Sequence, residues 1–293
     1  MTQITSITAP HLTIGHDITW RRIEEWSRCA KIEIPSGGIR RHIVRMAAPQ
    51  FALFTDFGFE GPYVGQMKSV IKHLAPDIPI IDLMHDVPAQ GVKPAAYLLA
   101  ALFEELPAGT VFVAVVDPGV GSDDRESVVV KAGGRWFVGP GNGLFSGVAG
   151  RADSAEAWTI TWRPERVSAS FHGRDIFAPI AARVALGGYQ PDQPCELSTA
   201  VHLDWPLDLA EVIYIDRFGN AMTGIRAKTL PGNSVIQIGE TTLSRATTFA
   251  DVPPGTAMWY ENSNGLAEIA VNQGRADEFF GLTIGSEVPF HRS

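Results

Sequence analysis

The chain has 293 residues, of which 45% are hydrophobic and 19% charged, a balance that fits a globular protein of two domains and excludes a disordered one. No run of about 18 apolar residues occurs, so no membrane-spanning helix is expected. A formal net charge of −8 argues against a polyanionic partner such as nucleic acid and is compatible with a small cationic substrate.

Cys29 and Cys195 are the only cysteines and lack metal-ligand or CxxC spacing. No basic stretch followed by an apolar block opens the chain. Both features lead to the expectation of a cytoplasmic protein.

Residues 1–48 differ from the rest. They carry Arg21, Arg22, Arg40, Arg41 and Arg45 among few apolar runs, although Ile23, Trp26 and Cys29 fit one helical face. Met46 stands just before the first strong pattern. Two readings are open: an N-terminal extension, non-native or poorly ordered, or a genuine short helix packed on the surface.

From residue 51 onward strands alternate with helices. FALFTDF (51–57) is an apolar run with strand character, followed by a turn from Gly58 to Pro62. Tyr63, Met67, Val70, Ile71 and Leu74 recur at helical spacing, with Pro62 suited to a first helical turn. PIIDLMH (79–85) reads as a second strand, and 95–106 as a helix stopped by Pro107. TVFVAVVD (110–117) is apolar almost throughout, as a strand covered on both faces is. SVVVKA (127–132) and RWFVGP (135–140) predict a hairpin around Gly133-Gly134, and 175–186 a helix closed by Gly187-Gly188.

This order predicts an α/β catalytic domain over 49–200, its mainly parallel sheet flanked by helices. The polar, proline-punctuated stretch 191–208 marks an interdomain linker. EVIYID (211–216), SVIQIG (234–239), GTAMWYE (255–261) and LAEIAVN (266–272) then follow as short strands without a comparable helix. A smaller all-β domain is therefore expected over 201–293.

In open α/β sheets, ligands bind beyond the carboxyl ends of the strands. Three predicted strands deliver polar groups there: Thr55-Asp56-Phe57-Gly58, His85-Asp86, and Asp117-Pro118-Gly119-Val120-Gly121. One Asp after a strand is ordinarily a turn cap. Three together point to a site, and the glycines around Asp117 allow a substrate to approach the backbone.

FHGRD (171–175) places His172 ahead of a predicted helix whose start Asp175 can cap, while His172 has no equally good structural role. Asn142, in a PGNG turn, adds a polar group on another loop. The chain has no GxGxxG opening a helix, no GxxxxGK[ST], no GxSxG and no HExxH. A metal held by Asp117, His172 and His85 stays open, although spacing gives it no positive support.

Seven segments together carry a resemblance: FTDFGFEGPYVGQMK, DLMHDVPAQ, VVDPGVGSDDR, PGNGL, SFHGRDIFAP, IYIDRFGN and ENSNGLAEIAVNQG. In this order they resemble the S-adenosylmethionine hydroxide adenosyltransferases. These are the adenosine-forming S-adenosylmethionine hydrolases, relatives of the fluorinases and chlorinases. The match runs from about Phe51 to the C-terminus.

The resemblance implies an N-terminal α/β domain, a C-terminal β domain, and a homotrimer with sites between neighbouring subunits. Its catalytic Asp, Arg and His fall on Asp117, Arg125 and His172, with the loop before Arg125 one residue longer than the usual spacing. The ribose-holding Asp falls on Asp56. Asp216, Phe218 and Asn220 match groups facing the methionine end and the adenine, and Ser263 matches a serine near the methionine carboxylate.

Two departures stand out. Gly141 replaces an acid in the PGNG turn, which removes a polar contact, and Gly91 replaces an acid after Gln90, which loosens that loop.

The implied reaction is hydrolysis of S-adenosylmethionine to adenosine and L-methionine, with S-adenosylmethionine as substrate and no cofactor or metal. Whether Asp117 or His172 accepts the proton stays open at this level. A halide-dependent adenosyltransferase is one alternative, disfavoured because the segment from Gly121 to Asn142 is too short for the halogenases' insertion. A non-catalytic S-adenosylmethionine or nucleoside-binding protein is the other.

Overall fold

The computed structural model describes residues 48–122, 125–190 and 193–292. The expected extension therefore lies, up to residue 47, outside the described residues.

The first region opens with β1 (Phe51–Thr55), α1 (Tyr63–Leu74), β2 (Ile80–Met84), α2 (Val92–Leu102) and β3 (Val111–Val115). The hairpin β4 (Ser127–Ala132)/β5 (Arg135–Pro140), α3 (Ser146–Arg151) and β6 (Ala155–Thr159) follow. A π-helical turn (Gly173–Phe177) then leads into α4 (Ala178–Ala185), and β7 (Gln193–Pro194) and α5 (Leu197–Ala200) close the region. The seven strands form one sheet in the order β2-β1-β3-β5-β4-β6-β7.

Strand direction corrects one expectation. The pairs β1–β2, β1–β3 and β3–β5 are parallel, but β4–β5, β4–β6 and β6–β7 are antiparallel. The sheet is mixed rather than mainly parallel. The cause is the predicted Gly133-Gly134 hairpin, whose two glycines have φ of +54° and +72° and which reverses the chain beside β3.

Alternation along the central strands decides what each face buries. Ala52, Phe54, Phe112, Ala114, Val128 and Val130 meet α2 and α3 on one side. Phe51, Leu53, Val111, Val113, Val115 and Val129 meet Met67 and Ile71 of α1 and Ile180 and Ala181 of α4 on the other. β1 and β3 are buried at every position. The parallel strands β1, β2 and β3 thus end together, at Thr55, Met84 and Val115, on one edge of a doubly covered sheet.

The second region is antiparallel. It contains β8 (Leu209–Ile215), β9 (Ala221–Arg226), β10 (Ser234–Ile238), β11 (Thr241–Leu243), β12 (Ala257–Glu261), β13 (Leu266–Val271), the short α6 (Ala276–Phe280) and β14 (Phe290–Arg292). The sheets run β12-β13-β9-β8 and β11-β10-β14 around Val212, Ile236, Trp259 and Ile269. Leu209 and Ile213 of β8 join the core that also contains α2, so the β region packs on a helix of the first region. Lys93–Glu211 at 2.8 Å and Tyr214 Oη donating to Asp86 at 2.7 Å tie the same seam.

Candidate active site

The loop after β3 builds the centre of the site. Val120 N–H donates to Asp117 O at 3.3 Å and Ser122 N–H to Gly119 O at 3.1 Å, so the DPGVG segment turns back immediately. Gly121 has φ +83°, and a Cβ there would lie 2.5 Å from the carbonyl oxygen of Ala169. That close approach, open only to glycine, lays the loop against the segment leading to His172.

Arg125 then returns to Asp117. Its Nη2 stands 2.9 Å from Asp117 Oδ2 and 3.3 Å from His172 Nδ1. The three expected catalytic side chains therefore meet around one guanidinium nitrogen. Only 4% of the Asp117 side chain and 7% of Arg125 are exposed. Despite the short ion-pair distance, neither Asp117 oxygen nor Arg125 Nε makes a well-directed hydrogen bond among the described residues. Buried, incompletely satisfied charges are costly and characteristic of ligand sites.

Burial raises the Asp117 carboxyl above its ordinary range, against the pull of Arg125 and the Gly119 N–H, and nearby Asp56 adds to the rise. Burial likewise lowers His172, helped by the positive charges of Arg125 and Arg163. Arg125 supplies only donors. Its contact therefore makes Nδ1 of a neutral His172 the acceptor and places the proton on Nε2.

Asp117 and His172 line a cavity of 370 Å³. Tyr63, Gln66, Ser168, Ser170 and Arg174 share its wall and were not singled out from the sequence. Gln66 lies on the same helical face as the apolar Tyr63, and the loop serines belong to no motif. Arg174 bridges to Gln66 at 2.8 Å and to Asp175 at 2.6 Å, while Asp175 accepts from Ser168 N–H at 2.7 Å. Asp175 thus ties down the loop before the π-helical turn rather than capping a helical N–H.

Asp56 follows β1 and accepts from Gln90 N–H at 3.0 Å through Oδ2, leaving Oδ1 without a partner among the described residues. Asn142 spends both ends of its amide on the fold, donating to Val116 O at 2.9 Å and accepting from Leu144 N–H at 3.2 Å. Gly141 and Gly91 are both tightly enclosed. A Cβ would come to 3.0 Å from Val128 at the first and 3.0 Å from Pro94 at the second.

His85 is fully buried with both ring nitrogens engaged, by Thr55 at 2.8 Å and Asp82 at 3.0 Å. Among the described residues no group of three His, Cys, Asp or Glu side chains converges to hold a metal ion.

The C-terminal candidates lie elsewhere. Asp216 accepts from the N–H groups of Phe218 and Asn220 at 2.8 and 2.9 Å, and from the Asn220 amide at 3.0 Å, which closes the β8–β9 turn. These three residues line a cavity of 680 Å³ with Phe249, Tyr260 and Arg275. Phe218 is 73% exposed. Ser263 lines a different cavity of 370 Å³ with Arg151 and Arg226. The pairing of β9 with β13 sets Ser263 and Asp216 at opposite ends of β13. Among the described residues, none of the β region lines the Asp117 cavity.

Both regions of the chain are similar to known proteins. The family model of the SAM hydroxide adenosyltransferase N-terminal domain matches residues 51–193, and that of the C-terminal domain matches 210–289. A Thermus thermophilus protein named (R)-S-adenosyl-L-methionine hydrolase is 40% identical over 257 residues, covering 80% of this chain and 96% of the relative. A Salinispora arenicola protein of the same name is 38% identical, covering 83% and 97%. The crystal structure of an uncharacterized conserved protein from Thermotoga maritima superposes with a TM-score of 0.74 at 31% identity, covering 83% of this chain and all of that one. The chain belongs to the SAM hydroxide adenosyltransferase family.

Proposed function

We propose that the chain hydrolyses S-adenosyl-L-methionine to adenosine and L-methionine by in-line attack of water on the ribose C5′ carbon. The observation that carries this reading is the Asp117–Arg125–His172 cluster, buried on a cavity with its charges incompletely satisfied. The relatives' names support the substrate and specify its (R) form. We extend that form to this chain.

Attack forms a bond from the water oxygen to C5′ and breaks the C5′–sulfur bond, whose electron pair returns to sulfur. Methionine leaves as a neutral thioether, so the leaving group needs neither a general acid nor a cofactor. The remaining demand is a positioned, partly deprotonated water. Asp117 accepts its proton. His172 can only donate through Nε2, so it holds the water oxygen, and Arg125 stabilises developing hydroxide character. Asp56 receives the ribose diol on its free oxygen.

The active assembly is a homotrimer whose sites pair the Asp117 cavity of one subunit with the β region of its neighbour. Two observations support it. The Asp216, Phe218 and Asn220 cavity is separate from that of Asp117. In addition, Phe59, Tyr63 and Phe218 are 67%, 47% and 73% exposed, aromatic surface that an assembly would cover. Ser263 would contribute near the methionine carboxylate, as the resemblance implies, and Asn142 would hold the shape of its loop beside the site. Cysteine usage supports a cytoplasmic setting, and no described helix is long and apolar enough to cross a membrane.

Incubation with each sulfonium epimer, followed by chromatography, tests the reading. Equimolar adenosine and methionine are expected, unchanged in yield by added chloride or fluoride. Asp117→Asn should lower kcat by at least about 10²-fold. Folded protein that releases neither product, or that yields a halogenated nucleoside, contradicts it.

A further inference from the structure

His85 is buried and lines none of the cavities that contain the candidate catalytic residues. Its contacts nevertheless run in one direction, toward the β1 turn. Lys68 Nζ lies 2.6 Å from Asp82 Oδ2, and Asp82 Oδ1 lies 3.0 Å from His85 Nε2. Burial pushes Asp82 up, but Lys68 and His85 outweigh it and hold the carboxyl below its usual range. Asp82 is therefore an acceptor, and His85 Nε2 must donate to it.

The fully buried Thr55 hydroxyl also needs an acceptor for its hydrogen, and His85 Nδ1 lies within reach. The Thr55 hydroxyl, 2.8 Å away, donates to it, and Thr55 Oγ1 in turn accepts the N–H of Phe57 at 3.3 Å. Each hydrogen in the relay then has one donor and one acceptor. The backbone repeats the link, with Gly58 N–H donating to His85 O at 2.7 Å and Val87 N–H to Thr55 O at 3.3 Å. Phe59 covers the imidazole edge-on, its centroid 4.9 Å away. Asp56 lies between the two residues held this way, Thr55 and Phe57, and its own carboxylate is steadied by Gln90 N–H.

We propose that His85 is a positioning residue for substrate binding, which through Thr55 fixes the turn that aims Asp56 at the ribose diol. The proposal rests on the reading of Asp56 as the diol acceptor. Such a residue acts on substrate affinity and on recognition of the diol, not on the bond-breaking step at Asp117.

The test compares Thr55→Val, which removes the hydroxyl at nearly constant shape, with Thr55→Ser, which keeps it. Each is assayed with S-adenosylmethionine and with its 2′,3′-dideoxy analogue. Thr55→Val should raise KM for the natural substrate about tenfold with kcat little changed. It should leave KM for the dideoxy analogue unaltered, and Thr55→Ser should restore both values. Asp82→Ala, at the outer end of the chain, should shift KM in the same direction and serves if Thr55→Val does not fold.

A Thr55→Val protein that lowers kcat and leaves the ratio of the two KM values intact overturns the proposal. So does an Asp82→Ala protein that leaves both constants unchanged. Asp56→Asn separates the two claims. If it abolishes discrimination while Thr55→Val preserves it, the positioning role falls alone. If Asp56→Asn itself preserves discrimination, the diol reading falls and takes the positioning role with it.

Discussion

A guanidinium carries donors and no acceptor, so its contact with a ring nitrogen constrains that ring. Arg125 reaches His172 Nδ1 at 3.3 Å and Asp117 Oδ2 at 2.9 Å from the same nitrogen. In the proposed reaction this assigns a division of labour that the residue types alone left open: the imidazole donates and the carboxylate accepts. It requires Asp117 to be ionised and His172 neutral. Both conditions fail on the acid side.

Because burial raises Asp117, kcat/KM should decline with falling pH through an apparent pKa above the ~4 of an ordinary carboxyl. His172, lowered by burial and by Arg125 and Arg163, takes up its proton on this same acid side and contributes no basic limb. A pH–rate profile whose acid limb sits at or below the ordinary carboxylate value, or whose activity falls as His172 deprotonates, contradicts the assignment.

At the scale of elements, the site depends on loops that meet closely at the carboxyl edge of the parallel strands. Gly121 shows how little slack exists. Gly121→Ala must place a Cβ 2.5 Å from Ala169 O, at a φ of +83° that disfavours any side chain. A loss of about 1–3 kcal/mol in stability is expected, together with a large fall in kcat as Arg125 is displaced. Thermal denaturation and steady-state kinetics on the purified variant check both. Unchanged kcat would show that the loop's closeness does not position Arg125.

Strands β1 and β3 were legible in sequence because a doubly covered strand is apolar at every position, and Asp117 follows directly from the end of one. The predicted 127–140 hairpin already carried one antiparallel pair, but β6 and β7, which make the other two, were not read as strands at all. β9 also escaped notice. Its Thr223 is buried with its hydroxyl on Ala267 O, and its Gly224 is packed against Leu209, so a core strand carries a turn-like composition. The π-helical turn that carries the chain from His172 into α4 also leaves no periodic signal.

For the whole molecule, the Asp117 cavity and the Asp216–Asn220 cavity are separate within one chain, and the proposed trimer would make each of them half of an active site. Which chain each half serves is set by long-range packing, and no local pattern encodes it. The Asp117 cavity has an open aromatic mouth, and the Asp216–Asn220 turn presents Phe218 to solvent. If each active site joins halves from two subunits, co-refolding Asp117→Asn chains with Asp216→Ala chains should regenerate activity. Some interfaces in the mixed trimer would then carry both intact halves. Activity in the mixture no higher than in either variant alone would place both halves within one subunit.

Labelled water identifies the nucleophile. Single-turnover reaction with S-adenosylmethionine in H2(18)O should place one heavy oxygen on the 5′-hydroxyl of adenosine and none on methionine. Unlabelled adenosine, label in methionine, or no adenosine at all from the folded protein would contradict attack by water held at Asp117, Arg125 and His172.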